Sequence, residues 1–128
     1  MTVPIILASG SAIRADLLRN AGVAITTQVA RVDETSIRQA LEAEQATPRD
    51  IADTLAEMKA AKVASKNPGA LVIGCDQVLA FQQQVLSKPR SPDDAIQQLT
   101  SMRGKAHQLL SAAVIYADAK PIWRHVGQ

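Results

Sequence analysis

Apolar residues recur along this chain in short blocks whose spacing alternates between strand-like and helix-like. The run Pro4 to Leu7 predicts a short buried strand. Ser11 then stands as a helix cap, Ile13, Leu17 and Leu18 fall on one helical face, and Gly22 marks the stop. Val23 to Val32 alternates through Ile25, Gln28 and Val29, which predicts a second strand ending at Asp33-Glu34, with a short helix from Ser36 to Glu44 behind it. Thr47-Pro48-Arg49-Asp50 combines a hydroxyl cap, a proline at the first helical position and an acid in the first turn. The helix it opens should run to Ser65 and bury Ile51, Leu55, Met58 and Val63.

Asn67-Pro68-Gly69 breaks the chain before another buried strand, Ala70 to Gly74. Val78 to Phe81 and Val85 to Leu86 flank the polar Gln82-Gln83-Gln84 and read as a hairpin. Ser91-Pro92-Asp93-Asp94 repeats the helix-start chemistry, with Ile96 and Leu99 as the apolar face of the helix that follows. Gln108 to Tyr116 and Pro121 to Val126 read as two antiparallel strands around Asp118-Ala119-Lys120. Strands and helices alternate, so the expected class is α/β or α+β, a mixed, twisted sheet flanked by helices in one domain over 1–128. No repeat or interdomain linker interrupts it.

Composition narrows the function. With one Trp, one Tyr and one Phe the core must be aliphatic, and the aromatic platforms on which single-stranded nucleic acid stacks are missing. A formal charge of +2, without a dense basic run, does not call for a polyanionic macromolecule either. Cys75 alone excludes an internal disulfide and a Cys-based zinc site, and among apolar neighbours it reads as a small buried hydrophobe. The N-terminus lacks signal-peptide patterning and no apolar run has the length of a membrane span, so a soluble, cytoplasmic protein without membrane partners is expected.

The chemistry-bearing residues fall at the ends of the apolar blocks. Ser9, Ser11 and Arg14 follow the opening strand, where free backbone N–H groups, a helix dipole and a guanidinium favour an anion such as phosphate. Asp76 follows an aliphatic run and so should lie at the C-terminal end of a strand. There it could be a metal ligand, a base for an attacking water, or an Asx-type turn residue. Asp33-Glu34 could add oxygen ligands for Mg²⁺ or Mn²⁺ or form a solvated loop. Lys88, fixed by Pro89, and the pair Lys59 and Lys62 are cations that could equally be surface charges. His107 and His125 have no partners at ligand spacing, and no Walker-type loop, dinucleotide fingerprint or serine nucleophile elbow is present.

Taken in order, these segments resemble the Maf family of nucleoside triphosphate pyrophosphatases. The resemblance is carried by Leu7-Ala8-Ser9-Gly10-Ser11-Ala12-Ile13-Arg14-Ala15-Asp16-Leu17-Leu18, then Val32-Asp33-Glu34, Leu55-Ala56-Glu57-Met58-Lys59-Ala60, Gly74-Cys75-Asp76-Gln77-Val78 and Leu86-Ser87-Lys88-Pro89, with Leu99, Gly104 and His107 closing it. It implies hydrolysis of a nucleoside triphosphate to a monophosphate and pyrophosphate with Mg²⁺ or Mn²⁺. Asp76 would be the proton acceptor, Glu34 and Asp76 the metal ligands, and Ser9, Ser11, Ile13, Arg14, Lys59, Gln77 and Lys88 the substrate contacts. It also implies an inosine-triphosphatase-like fold and a homodimer as the usual assembly.

Two departures bear on the substrate. Ala12 and Ile13 replace the family's usual Pro and first Arg, and Gln77 replaces a common Thr, as in the branch that acts on 7-methyl-GTP. A modified or pyrimidine nucleotide is therefore the expected substrate. Family members also continue beyond the position of Gln128 with further substrate-contacting chain, so this domain reads as C-terminally shortened. The alternative expectation is a non-catalytic nucleotide- or phosphate-binding module.

Overall fold

A computed structural model describes residues 2–128. Its strands are β1 (Ile5–Leu7), β2 (Thr26–Thr27), β3 (Leu71–Phe81), β4 (Gln84–Leu86), β5 (Gln108–Ala117) and β6 (Lys120–Gly127). Its helices are α1 (Ala12–Asn20), α2 (Glu34–Ala43), α3 (Pro48–Ala64) and α4 (Pro92–Met102). The strands form one mixed sheet in the order β2-β1-β3-β5-β6, with β4 paired to β3. β1 runs parallel to β2 and β3, whereas β3 to β6 are joined antiparallel. The α/β class expected from the alternation of elements is the one observed.

Each helix begins on the cap its sequence offers. Ser11, Thr47 and Ser91 accept from the backbone N–H groups of Arg14, Asp50 and Asp94. The two hairpins turn on residue pairs at positive φ, Gln82-Gln83 and Asp118-Ala119, whose twist matches that of the flanking strands.

The core lies between α3 and one face of the sheet. From β3 come Val72, Val78 and Ala80, from β5 Leu110, Ala112, Val114 and Tyr116, and α3 lays Ile51, Ala52, Leu55, Ala56, Ala60 and Val63 across them. The alanines at every fourth position give α3 a flat face, and Gly74 beneath it lets helix and strand meet closely. A Cβ on Gly74 would lie 2.1 Å from the Ala56 carbonyl oxygen.

Several sequence expectations are corrected. The strand predicted over 23–32 shrinks to Thr26–Thr27, because β1, its only partner among the described residues, ends at Leu7 and offers no further ladder. The strand predicted to stop at Gly74 continues to Phe81, held by ten consecutive pairings with β5 from Leu71↔Ala117 to Ala80↔Gln108. Asp76 is therefore inside a strand and not at its end. The apolar faces predicted for α1 and α4 are not buried, and Ile13, Leu17, Ile96 and Leu99 all remain exposed, as does Met58. α3 covers only one side of the sheet, so these helices lie away from the core it seals.

Candidate active site

The geometry around Asp76 follows from where β1 stops. β1 pairs with β3 only at Ile5↔Leu71, Ile6↔Val72 and Leu7↔Ile73, after which the chain turns away into α1. The Ala8 N–H still donates to the Ile73 carbonyl at 2.8 Å, so the turn Ser9-Gly10-Ser11 opens beside Gly74-Cys75-Asp76. A crevice at this level needs no strand end at Asp76, because the neighbouring strand has ended instead. Within the turn, the Ser11 N–H donates to Ser9 Oγ at 3.1 Å, and Ser11 Oγ accepts from the Arg14 N–H at 3.3 Å. Both hydroxyls therefore shape the turn itself. Arg14 reaches across to β3, its Nη1 donating to the Cys75 carbonyl at 3.4 Å.

Asp76 points to the α3 side of the sheet and is only 7% exposed. Its Oδ1 accepts from Lys59 Nζ at 2.9 Å, and the same ammonium lies 2.6 Å from Glu34 Oε1. Lys59, at 8% exposure, sits within the buried face of α3, on the same arc as Ala52, Leu55, Ala56 and Val63. The surface-charge reading of Lys59 is thus corrected. Its companion Lys62 remains exposed and donates to the Arg31 carbonyl, so the two lysines serve different sides of the helix. Asp33 is not part of the cluster, because its carboxylate caps α2 by accepting from the Ser36 N–H and Oγ.

Electrostatics follow this burial. Desolvation pushes the Asp76 carboxyl above its ordinary range and prevails over the stabilising Lys59 charge, with Glu34 adding to the rise and Arg14 opposing it. Burial pulls the Lys59 ammonium down, but its bonds to Glu34 and Asp76 and their charges more than offset this and leave its pKa raised. Desolvation also raises the Cys75 thiol, although the residue is half-buried and not the fully buried hydrophobe expected from its neighbours.

A cavity of about 520 Å³ opens in front of this cluster. Glu34, Asp76, Lys88 and Arg90 line it, with Gln77 and Arg38 also on its wall. Gln77 Nε2 donates to Ser111 Oγ at 2.9 Å across the β3–β5 pair. Of the residues expected at one site, Glu34, Asp76, Gln77 and Lys88 share this cavity. Lys59 joins them through its two carboxylates and Arg14 through the backbone of Cys75. Ser9 and Ser11 stand in the adjoining turn. Ile13 is not drawn in: it is 75% exposed on α1 and does not line the cavity.

Sequence reasoning missed Arg38, Ser87, Arg90 and Gln98 on the cavity wall. Only Arg38 carried a signal, standing four residues after Glu34 on an amphipathic helix and hence on the same face. The two histidines are exposed, and among the described residues no group of three His, Cys, Asp or Glu side chains forms a complete metal cage. No helix among the described residues is long and apolar enough to cross a membrane.

A sequence profile of the family described as Maf-like protein matches residues 4–128. The chain is similar to the nucleoside triphosphate pyrophosphatase of Ruegeria pomeroyi, with 65% identity over 128 residues that cover 100% of this chain and 64% of that relative. It is 53% identical over 123 residues to nucleoside triphosphate pyrophosphatase 1 of a Jannaschia species, covering 96% and 62%. To the 7-methyl-GTP pyrophosphatase of Brucella abortus it is 48% identical over 126 residues, covering 98% and 63%. The chain thus spans just under two thirds of the length of these relatives.

Proposed function

This chain belongs to the Maf-like protein family, and from that premise we propose that it hydrolyses a nucleoside triphosphate to a monophosphate and pyrophosphate. The observation that carries the reading is the buried Lys59–Asp76 pair, joined by the half-exposed Glu34 and opening onto a cavity with Lys88 on its wall. Asp76 accepts a proton from a water as the water oxygen bonds to the α-phosphorus. The bond from that phosphorus to the α–β bridging oxygen breaks, and pyrophosphate leaves. A carboxylate whose pKa is raised by burial is a stronger base than a solvated one, which suits this role.

Lys88 and Arg14 offset the charge of the phosphates, and Ser9 and Ser11 hold the turn that presents its N–H groups to them. Lys59 keeps the two carboxylates together and is thereby a positioning residue as well as a cation near the substrate. Glu34 and Asp76 suit Mg²⁺ or Mn²⁺, which bind through one or two carboxylates together with substrate phosphates. Such an ion, when bound, supplies charge neutralisation at the phosphates. Gln77 at the cavity wall contributes to base selection among pyrimidine and modified nucleotides; a relative named 7-methyl-GTP pyrophosphatase supports the modified one. In this reading the chain works in the cytoplasm on free nucleotides.

The test is pyrophosphate release from a panel of nucleoside triphosphates, 7-methyl-GTP among them, with Mg²⁺ or Mn²⁺ present. Asp76→Asn should lower turnover by about 10²- to 10⁴-fold while nucleotide binding persists. Release of orthophosphate in place of pyrophosphate, or binding without turnover by the unmutated chain, would overturn the proposal in favour of a different hydrolase or a binding module.

A further inference from the structure

Lys88 lies in a stretch, Ser87 to Arg90, that belongs to neither β4 nor α4, yet two side chains from different helices grip the residue before it. Arg38 Nη2, from α2, donates to Ser87 Oγ at 2.7 Å. Gln98 Nε2, from α4, donates to the Ser87 carbonyl at 2.6 Å. On the far side, the Arg90 N–H donates to Asp94 Oδ2 at 3.0 Å, so Lys88 and Pro89 are held between two anchored neighbours. The Ser87 bond is the best-made contact of the Arg38 guanidinium. Its Nε is 3.5 Å from Glu42 Oε1, beyond good hydrogen-bond geometry, and is buried with no hydrogen-bond partner.

The position of Arg38 gives this grip a purpose. Glu34 opens α2 and Arg38 stands one turn later, both on the wall of the cavity. One helix therefore contributes one of the cavity's carboxylates and latches the segment carrying its lysine. A lysine on a free loop spends rotamer and backbone entropy whenever it meets a ligand, and a loop ordered beforehand avoids much of that cost.

We propose that Arg38, together with Gln98, is a positioning residue that acts through Ser87 to hold Lys88 in place for the phosphates of the substrate. This rests on the reading of the cavity as a triphosphate site. Arg38 is assigned no direct contact with phosphate.

The experiment measures calorimetric affinity for inorganic tripolyphosphate, with uridine triphosphate as a second ligand, in the unmutated chain, Arg38→Met, Ser87→Ala, their double variant, Lys88→Met, and Arg38→Met combined with Lys88→Met. Arg38→Met and Ser87→Ala should each weaken binding about five- to tenfold, the usual net worth of one hydrogen bond. The double variant should be no weaker than the poorer single one, and Arg38→Met should cost nothing further once Lys88 is gone. Arg38→Lys, which keeps one donor, should recover part of the loss.

Amide exchange at 87–90 gives a readout independent of any ligand and should quicken in both single variants. Ser87→Ala removes only a hydroxyl from an exposed residue and so keeps the test clear of misfolding. Unchanged affinity or exchange in Arg38→Met, additive losses with Ser87→Ala, or a persisting loss in the Lys88→Met background would overturn the proposal. If the unmutated chain binds neither ligand, the triphosphate reading itself fails and this inference falls with it. Intact binding with an indifferent Arg38 removes only the inference.

Discussion

Lys59 occupies a position on α3 where periodicity alone would place an aliphatic residue, and the reason lies in its two carboxylate partners. Removing it leaves Glu34 half in water but strands Asp76 as a buried charge without a partner. At pH 7 Lys59→Met should therefore cost about 3–5 kcal/mol, the usual consequence of breaking one side of a buried pair. The sign of its pH dependence is fixed. The folded Asp76 already holds its proton more tightly than the unfolded chain does, and losing Lys59 strengthens that hold. The penalty of Lys59→Met should thus shrink as pH falls through the raised Asp76 pKa, where the carboxyl becomes neutral. Urea unfolding midpoints of both chains between pH 4 and pH 8 (on the order of the range a raised carboxyl spans) would show converging stabilities toward acid. A constant gap would place the cost elsewhere. In the unmutated chain the raised Lys59 pKa has the opposite consequence: its contribution is present below the ordinary ammonium value of 10.5 and is lost only as pH rises through the raised one. The carboxylates and lysines of this cluster were named from resemblance. Residue types and spacing alone left Asp76 as readily a turn residue and Lys59 as readily a surface charge, because burial of a polar side chain depends on partners distant in sequence.

At the scale of elements, the site depends on how closely α3 can lie on β3, since one brings Lys59 and the other Asp76. Gly74 sets that distance. An added Cβ would lie 2.1 Å from the Ala56 carbonyl oxygen and 2.7 Å from both the nitrogen and the Cβ of Ala60. Two of these atoms are helix backbone and cannot turn aside. Gly74→Ala should push α3 from the sheet, with a stability loss of about 1–3 kcal/mol or more from overpacking. It should also lengthen the Lys59–Asp76 contact, so turnover should fall even at temperatures where the variant is fully folded. Thermal melts paired with pyrophosphate-release rates on the folded variant would test this. A variant with unchanged stability would mean that α3 is free to shift. The hairpins, helix caps and the opening strand were legible because their signals are local: polar pairs between apolar runs, and a hydroxyl with proline before a helical pattern. The lengths of β2 and β3 were not, since a strand extends as far as its neighbour does. β2 is cut short by a three-residue β1, while β3 is carried past Gly74 by the long β5.

Across the whole molecule, α3 is the element on which distant segments converge, and its polar edges matter as much as its apolar face. Arg124 on β6 pairs opposite Val114 and so projects to the α3 side of the sheet. There Nη1 meets Asp53 Oδ2 at 2.8 Å and Nη2 meets Glu57 Oε1 at 2.6 Å, two carboxylates one helical turn apart. This fork fastens the outermost strand to the helix that carries Lys59, so the edge of the sheet and the Glu34–Lys59–Asp76 cluster share one support. All three side chains are partly exposed, which limits the energy, yet one guanidinium serving two carboxylates in good geometry exceeds an ordinary surface pair. Arg124→Ala should therefore destabilise the chain by about 1–2 kcal/mol in low salt, partly because Asp53, whose Oδ1 is buried without a partner, would lose the one formed by its Oδ2 as well. Screening sets the control. At about 1 M NaCl the Debye length falls to about 3 Å, so the difference between the two chains should narrow markedly if charge is what holds β6. A gap indifferent to salt would mean that Arg124 acts through the packing of its aliphatic stem. Urea is the denaturant to use, since guanidinium would itself screen the fork. Amide exchange along β6 should quicken in Arg124→Ala well before that of β3, because β6 has a strand on one side only whereas β3 is enclosed by β1, β4 and β5.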